Sequence, residues 1–135
     1  MIPESEIRSI AGLLGVTPPT VDHDYALGVC LHALAVDQTV TKEWLFKGGT
    51  CLSKCHFAEY RFSEDLDFTA VSALNSESVR GIVQNAAEAM QRQAGVRTAE
   101  RPALIDVIND DYGRESFEAR IYFRGPWNFG GSPRS

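Results

Sequence analysis

The 135-residue sequence predicts an α+β domain in which helices back a small mixed sheet. Residues 77–93 carry apolar side chains at helical spacing, between a cap candidate at Asn75 or Ser76 and a stop at Gly95. Residues 115–123 alternate apolar and polar side chains, which is typical of a strand. With the shorter segments below, these patterns predict the order helix, helix, strand, helix, strand, helix, strand, strand.

Two helices precede the first strand. The first is predicted over residues 3–15, where a proline opens the segment and a glycine closes it. Thr20 is a candidate cap for the second helix, whose first turn would contain Asp22 and Asp24 and which continues over residues 25–37. Because this helix is apolar almost all round, we expect it to be buried.

The remaining elements follow from short apolar runs and turn residues. They are predicted as a strand over 44–46, a helix over 50–57, a strand over 65–70, a strand over 103–108 and a turn over 109–113. Residues 126–135 read as a loop-like tail, because their glycines and proline would not continue a strand. The whole chain, 1–135, is thus expected to be a single domain.

Composition excludes several classes of protein. A net charge of −5 argues against nucleic-acid binding through a broadly basic surface, although lysines cluster near the motifs described next. No apolar run reaches the roughly 18 residues that span a bilayer, and the N-terminus lacks a signal-peptide pattern. Three cysteines in no disulfide spacing agree with a reducing compartment, so the expected location is the cytoplasm, without a membrane.

The cysteines and histidines do not form a recognisable metal-binding or catalytic motif. Cys51 and Cys55 lie one helical turn apart with His56 adjacent, but a zinc site needs about four ligands and no further cysteine pair exists. We interpret the two cysteines as small core residues. His32 is expected to be a core or edge histidine and His23 a surface residue.

Two carboxylates stand at the start of the second predicted strand. If residues 65–68 are extended, Asp65 and Asp67 point the same way while Leu66 and Phe68 enter the core. Two carboxylates on one strand face suit Mg²⁺, which uses one or two carboxylates together with substrate phosphates. The bland alternative is a pair of strand-edge carboxylates left in water.

A glycine turn supplies the other half of the candidate site. Gly48 and Gly49 have no Cβ atom, so their backbone can approach a phosphate closely. A helix from Thr50 would point its free N–H groups at that phosphate, and Lys47 and Lys54 would add positive charge. The sequence therefore predicts a triphosphate held between a glycine turn and a carboxylate-bound metal. The alternative is a plain strand-to-helix turn.

These two motifs, residues 46–54 and 61–68, together resemble the AbiEii/AbiGii toxin family within the DNA polymerase β-like nucleotidyltransferases. The MenT toxins, which transfer nucleotides to tRNA, are similar proteins. The resemblance implies a polymerase β palm-like core, Mg²⁺ or Mn²⁺ as cofactor and an NTP as substrate. It also implies an RNA acceptor, with tRNA as the candidate, and a cognate antitoxin protein as partner.

The resemblance also suggests roles for individual residues. Asp65 and Asp67 would be the catalytic and metal-binding pair. The phosphate-binding and substrate-binding candidates are Lys47, Gly48, Gly49, Thr50, Arg61 and Ser63. For some of these a second interpretation stays open: Lys47 could form a surface salt bridge, Arg61 could pair with Glu64 or with an active-site aspartate, and Ser63 could support the turn into the strand.

The third metal-binding acid of the superfamily has no assigned residue. It lies on a later strand, after a stretch that residues 121–126 match, together with a nearby lysine, so the chain is expected to be truncated at its C-terminus. Asp106 is a poor substitute, and Asp110 or Asp111 would be considered only if the chain proved active. We therefore expect an open sheet edge, self-association or a mobile tail, and no measurable nucleotide transfer.

Two other functions remain open from the sequence. The first is a truncated, non-catalytic domain that binds nucleotide or acts by interaction. The second is a glycosyltransferase that uses an Asp-X-Asp metal site, which the glycine turn followed by a helix fits poorly.

Overall fold

Helices and antiparallel strand pairs make up the fold. The computed structural model describes residues 1–51, 54, 62, 64–109, 111–127 and 130–135. In chain order its elements are α1 (Glu4–Leu14), α2 (Pro18–Ala35), α3 (Gln38–Glu43), β1 (Trp44–Lys47), α4 (Gly48–Cys51), β2 (Asp67–Ala70), α5 (Ser76–Ala94), β3 (Leu104–Asn109) and β4 (Glu115–Arg120). The predicted α+β class is confirmed. Within these residues the strands form two antiparallel ladders, β1 with β2 and β3 with β4, where the sequence predicted one mixed sheet.

The first helix has the predicted bounds, but the start of the second was predicted wrongly. α1 ends at Gly15, which is left-handed with φ 67°. α2 begins at Pro18, with Thr17 as its N-cap instead of Thr20. Two prolines fit the first turn because the first N–H groups of a helix have no intrahelical partner. Asp22 therefore lies beyond the first turn.

A short helix that the sequence analysis missed separates α2 from the first strand. α2 ends at Ala35, and the side chain of Asp37 accepts hydrogen bonds from the backbone N–H groups of Thr39 and Val40 at 2.9 and 3.2 Å. Asp37 is thus the N-cap of α3, where the prediction made it the end of α2. A six-residue helix with one buried side chain, Val40, leaves almost no periodic signal in the sequence.

The core forms where α5 packs against α2. Asn75 caps α5 by accepting from the N–H of Ser78 at 2.8 Å, and Gly95 ends it in the left-handed conformation. The helical spacing over residues 77–93 predicts a core-facing stripe of six residues, and all six are buried: Val79, Ile82, Val83, Ala86, Ala87 and Met90. This part of the fold follows directly from the helical period of the sequence.

The inner face of the β1–β2 ladder attaches to this core through aromatic rings. Trp44 and Phe46 of β1 lie 5.5 and 5.3 Å from the ring of Phe68 in β2, measured between centroids. Trp44 and Phe68 pack against the main core cluster. Side chains alternate along a strand, so the neighbours of these aromatics point to the opposite, outer face.

The β3–β4 hairpin is much more exposed than the first ladder. Leu104, Val107 and Ile108 keep 46%, 46% and 47% of their surface exposed. The ladder ends at Arg120, so β4 is shorter than the predicted strand over 115–123. The exposed apolar side chains are consistent with the expected self-association, which stays a prediction.

The C-terminal segment is anchored by a buried carboxylate. Asp22 of α2 is fully buried, accepts a hydrogen bond from the backbone N–H of Trp127 at 2.8 Å, and forms an ion pair with Arg134. Gly125 lies so close that a Cβ atom there would stand 2.8 Å from the Asp22 carboxyl carbon. Phe123 and Arg134 also exchange two backbone hydrogen bonds, of 2.6 and 2.8 Å. The described part of the predicted loop-like tail is therefore bound to α2.

Replacing Asp22 should destabilise the fold markedly. Asp22→Ala removes the acceptor of the Trp127 N–H and the partner of the Arg134 guanidinium, and breaking such a pair costs about 3 kcal/mol. The control is Glu4→Ala, which breaks the exposed Glu4–Arg8 pair and should cost less than about 1 kcal/mol. Urea unfolding measures both, and equal losses would contradict the anchoring role of Asp22.

The thiol of Cys30 should make stability depend on pH. Burial raises the pKa of this thiol from 9.0 to about 12. Above pH 9.0 the unfolded chain ionises while the folded chain does not, so this contribution to stability is lost as pH rises from 9.0 towards 12. In urea unfolding at about pH 8 and about pH 10.5, Cys30→Ala should lose less stability than wild type between the two values. An identical loss in both proteins would contradict this assignment.

Candidate functional site

The two motifs meet at the end of the β1–β2 ladder. The antiparallel register places Lys47, the last residue of β1, opposite Asp67, the first residue of β2. Both side chains are exposed, as are those of Leu45 and Thr69, the next pair on the same face of the ladder. These four residues form what we call the outer ladder face, on the side of the ladder opposite the aromatic core.

Gly48 turns the chain away from β1 directly against Asp67. Its φ of +83° lies in the left-handed region, which glycine adopts without strain. A Cβ atom on Gly48 would stand 3.1 Å from the carboxyl carbon of Asp67 and closer still to one of its oxygens. The carboxylate of Asp67 therefore occupies the space that a side chain at position 48 would need.

Asp65 lies just before β2, so the strand is two residues shorter than predicted. The predicted alternation nevertheless holds, because Asp65 and Asp67 are exposed while Leu66 and Phe68 pack against the core. The backbone carbonyl of Asp65 accepts a hydrogen bond of 2.5 Å from the hydroxyl of Thr50. This bond ties the glycine turn to the segment that carries the carboxylates.

The hydroxyl of Thr50, a candidate for phosphate binding, makes a hydrogen bond within the protein instead. It is 1% exposed, and its hydroxyl is engaged with Asp65, so the hydroxyl does not face a ligand on the surface. Its backbone N–H is the remaining candidate for the predicted phosphate contact. The neighbouring Gly49 is half-buried in α4.

The charged side chains of the candidate site have no partner among the described residues. No ion pair or hydrogen bond joins the side chain of Lys47, Asp65 or Asp67 to another residue in the described ranges. The salt bridge considered for Lys47 is thus not formed there. Lys54 differs, since its ammonium group lies 3.1 Å from the Asp24 carboxylate. Asp24 therefore offsets the positive charge that Lys54 was expected to add.

α2 supports the site with residues that the sequence analysis did not assign to it. The ring nitrogen Nε2 of His23 is 3.1 Å from the carbonyl oxygen of Glu64, directly before the carboxylate segment. His23 also packs edge-on against Phe123, with 5.8 Å between ring centroids. His23, predicted as a surface residue, is thus half-buried between these two contacts. The available signal was a run of polar residues, 22–24, inside an otherwise apolar helix.

Several predicted residues cannot be placed. Arg61 and Ser63 lie outside the described residues, as do Cys55, His56 and Asp110. Among those that are described, no group of three or more His, Cys, Asp or Glu side chains is arranged to hold a metal ion.

Asp106 is not brought to the candidate site by strand pairing. It is exposed in β3, in register with Glu118 of β4, and thus belongs to the other ladder. His32, expected in the core or at its edge, is exposed and lines an open cavity of about 430 Å³ beside Lys54.

The comparison with known families identifies the class of protein. Residues 30–133 match a family model of nucleotidyl transferases that are toxins of type IV toxin–antitoxin systems. The chain belongs to this family, the nucleotidyl transferase AbiEii toxins, and both motifs lie within the match. Membership places the chain among the nucleotidyltransferase toxins of toxin–antitoxin systems. No curated protein and no solved structure matches the chain, and no helix in the described part is both long and apolar enough to cross a membrane.

Substitution of Gly48 should disturb both the turn and the carboxylate. Gly48→Ala forces a left-handed backbone on a residue with a Cβ and pushes that atom into Asp67, so we expect a loss of about 2 kcal/mol in the free energy of unfolding. Gly81→Ala in α5 is the matched control, because nothing lies within 4 Å of its Cβ position, and it should be neutral or stabilising. Urea unfolding compares them, and a Gly48→Ala protein as stable as wild type would contradict the close contact.

Proposed function

We propose that the chain binds a nucleoside triphosphate together with Mg²⁺ or Mn²⁺ at the turn between β1 and α4. We further propose that it transfers the nucleotide to an RNA acceptor, with tRNA as the candidate. The observation that carries the proposal is the Asp67 carboxylate seated against the Gly48 backbone, with Lys47 directly across the ladder. Membership in the AbiEii family supports the same reaction class.

The carboxylates fit a hard divalent cation. Asp65 and Asp67 provide exposed oxygen donors that are free of ion pairs with the other described residues. Mg²⁺ and Mn²⁺ prefer oxygen ligands, and Mg²⁺ commonly takes one or two carboxylates beside substrate phosphates. When bound, such an ion neutralises phosphate charge and polarises the phosphoryl oxygens. Asp65 and Asp67 are the residues that would hold it.

The residues on the other side of the turn would position the phosphates. Phosphoryl transfer depends on orientation and charge stabilisation more than on covalent chemistry from the protein. Lys47 stands opposite Asp67 in the ladder register, and its ammonium group would balance phosphate charge. Gly48 has no side chain and the Asp67 carboxylate takes that space, so the proposed metal-binding residue and the glycine turn lie in direct contact. Arg61 and Ser63 remain candidates for the same task.

A second candidate function is nucleotide binding without transfer. It is favoured by the absence, within the residues described, of a third acidic or other metal-binding side chain grouped with Asp65 and Asp67. In that case the chain would recognise a nucleotide without catalysis. The two functions share the binding step and differ only in incorporation of the nucleotide into RNA.

Binding should depend on the carboxylates. In calorimetry with each NTP and Mn²⁺, Asp67→Asn and Asp65→Asn should each weaken binding about tenfold or more, because a neutral amide holds a divalent cation poorly. Asp106→Asn is the matched control, since Asp106 is an exposed strand aspartate of the other ladder, and it should bind like wild type. If all three variants bind the NTP with the affinity of wild type, the proposed site is excluded.

The same samples distinguish transfer from binding. Incubation with labelled NTPs and total tRNA should label the RNA if the first proposal holds, and Asp67→Asn should remove that label. Binding without incorporation supports the second candidate function. Wild-type protein that neither binds nor transfers nucleotides excludes both.

A further inference from the structure

The outer ladder face includes a second, uncharged residue pair beside Lys47 and Asp67. On the same face, further from the Gly48 turn, the register pairs Leu45 of β1 with Thr69 of β2. Leu45 is 59% exposed, and Thr69 is exposed as well. An aliphatic side chain and a hydroxyl thus lie directly beside Lys47 and Asp67, on a surface that the proposed chemistry does not yet use.

We infer that Leu45 and Thr69 contact the nucleoside part of the NTP, an inference that rests on the proposed function. Residues two apart on a strand are separated by roughly 7 Å on the same face. That spacing suits a nucleotide whose phosphates lie at Asp67 and whose ribose and base extend along the ladder. A nucleoside that extended in the opposite direction would meet the turn, where the hydrogen bond between Thr50 and Asp65 closes the structure.

The two side chains suit different parts of a nucleoside. Leu45 offers apolar surface for the face of the ribose or base, and an exposed leucine gains free energy when a ligand covers it. The hydroxyl of Thr69 can donate a hydrogen bond to a ribose oxygen or accept one from a ribose hydroxyl. Neither side chain reads a base edge with paired donors and acceptors. The pair therefore recognises the nucleoside by shape and contributes little discrimination among the four bases.

The supporting residues keep this surface in place. Trp44, Phe46 and Phe68 alternate with the outer residues and hold the inner face of both strands. Beyond the Leu45–Thr69 rung, the backbone N–H of Val71 donates to the carbonyl of Glu43 at 2.8 Å, which extends the pairing past the strand ends. Leu45 and Thr69 are thus presented from paired backbone.

The test compares an NTP with inorganic tripolyphosphate, which carries the phosphates but no nucleoside. In calorimetry with Mn²⁺, Leu45→Ser should weaken binding of each NTP about five- to tenfold, because most of the apolar contact is lost. The same variant should leave tripolyphosphate binding unchanged. Thr69→Val, which removes the hydroxyl and keeps the shape, should weaken NTP binding about two- to fivefold.

Two control variants distinguish a failure of the nucleoside inference from a failure of the proposed function. Leu13→Ser makes the same substitution at a leucine of α1 that is 86% exposed, and it should bind both ligands like wild type. Asp67→Asn should weaken the binding of both the NTP and tripolyphosphate. The inference is overturned if the Leu45→Ser protein binds the NTPs like wild type. It is also overturned if the substitution weakens the binding of NTP and of tripolyphosphate equally. If wild type binds neither ligand, the proposed function itself fails.

Discussion

The contact between the Gly48 backbone and the Asp67 carboxylate is the constraint on which the site depends. It requires a left-handed φ and an absent Cβ at the same position, which glycine alone satisfies without strain. It also requires β1 and β2 to pair in the register that brings Lys47 opposite Asp67. With the Thr50–Asp65 hydrogen bond, it joins motif halves that are separated in sequence into one turn.

α2 is connected to both motif segments and to the C-terminal segment through three consecutive polar residues. Successive residues of a helix point about 100° apart, so neighbouring side chains reach different parts of the molecule. Asp22 binds the C-terminal segment, His23 contacts the carbonyl of Glu64, and Asp24 pairs with Lys54 after the glycine turn. A helix that is otherwise apolar thus has a polar band that connects both motif halves and the C-terminal segment.

Sequence reasoning succeeded where the signal is local and periodic. The stripe of α5, its caps and the alternation around Asp67 depend on neighbouring residues, so spacing alone predicts them. The partners of His23 and Asp22 were not predicted, because they lie 41 and 105 residues away in the chain. The start of α2 was also misplaced, because Thr20 was predicted as the cap although the two prolines before it fit a helical first turn. The proximity of Gly48 to Asp67 was expected from the paired motifs, but the register that produces it was not.

The two faces of the β1–β2 ladder explain why the site has a defined geometry. Because side chains alternate with a period of two, a shift of one residue in register would exchange the faces of a strand. Such a shift would place Phe68 in water and Asp67 against the core, at a cost of desolvating a carboxylate and exposing an aromatic ring. The packing of Phe68 against Trp44 and Phe46 therefore excludes the shifted register. The aromatic core thereby determines where Lys47 and Asp67 meet, so the chemistry of the outer face depends on the packing of the inner one.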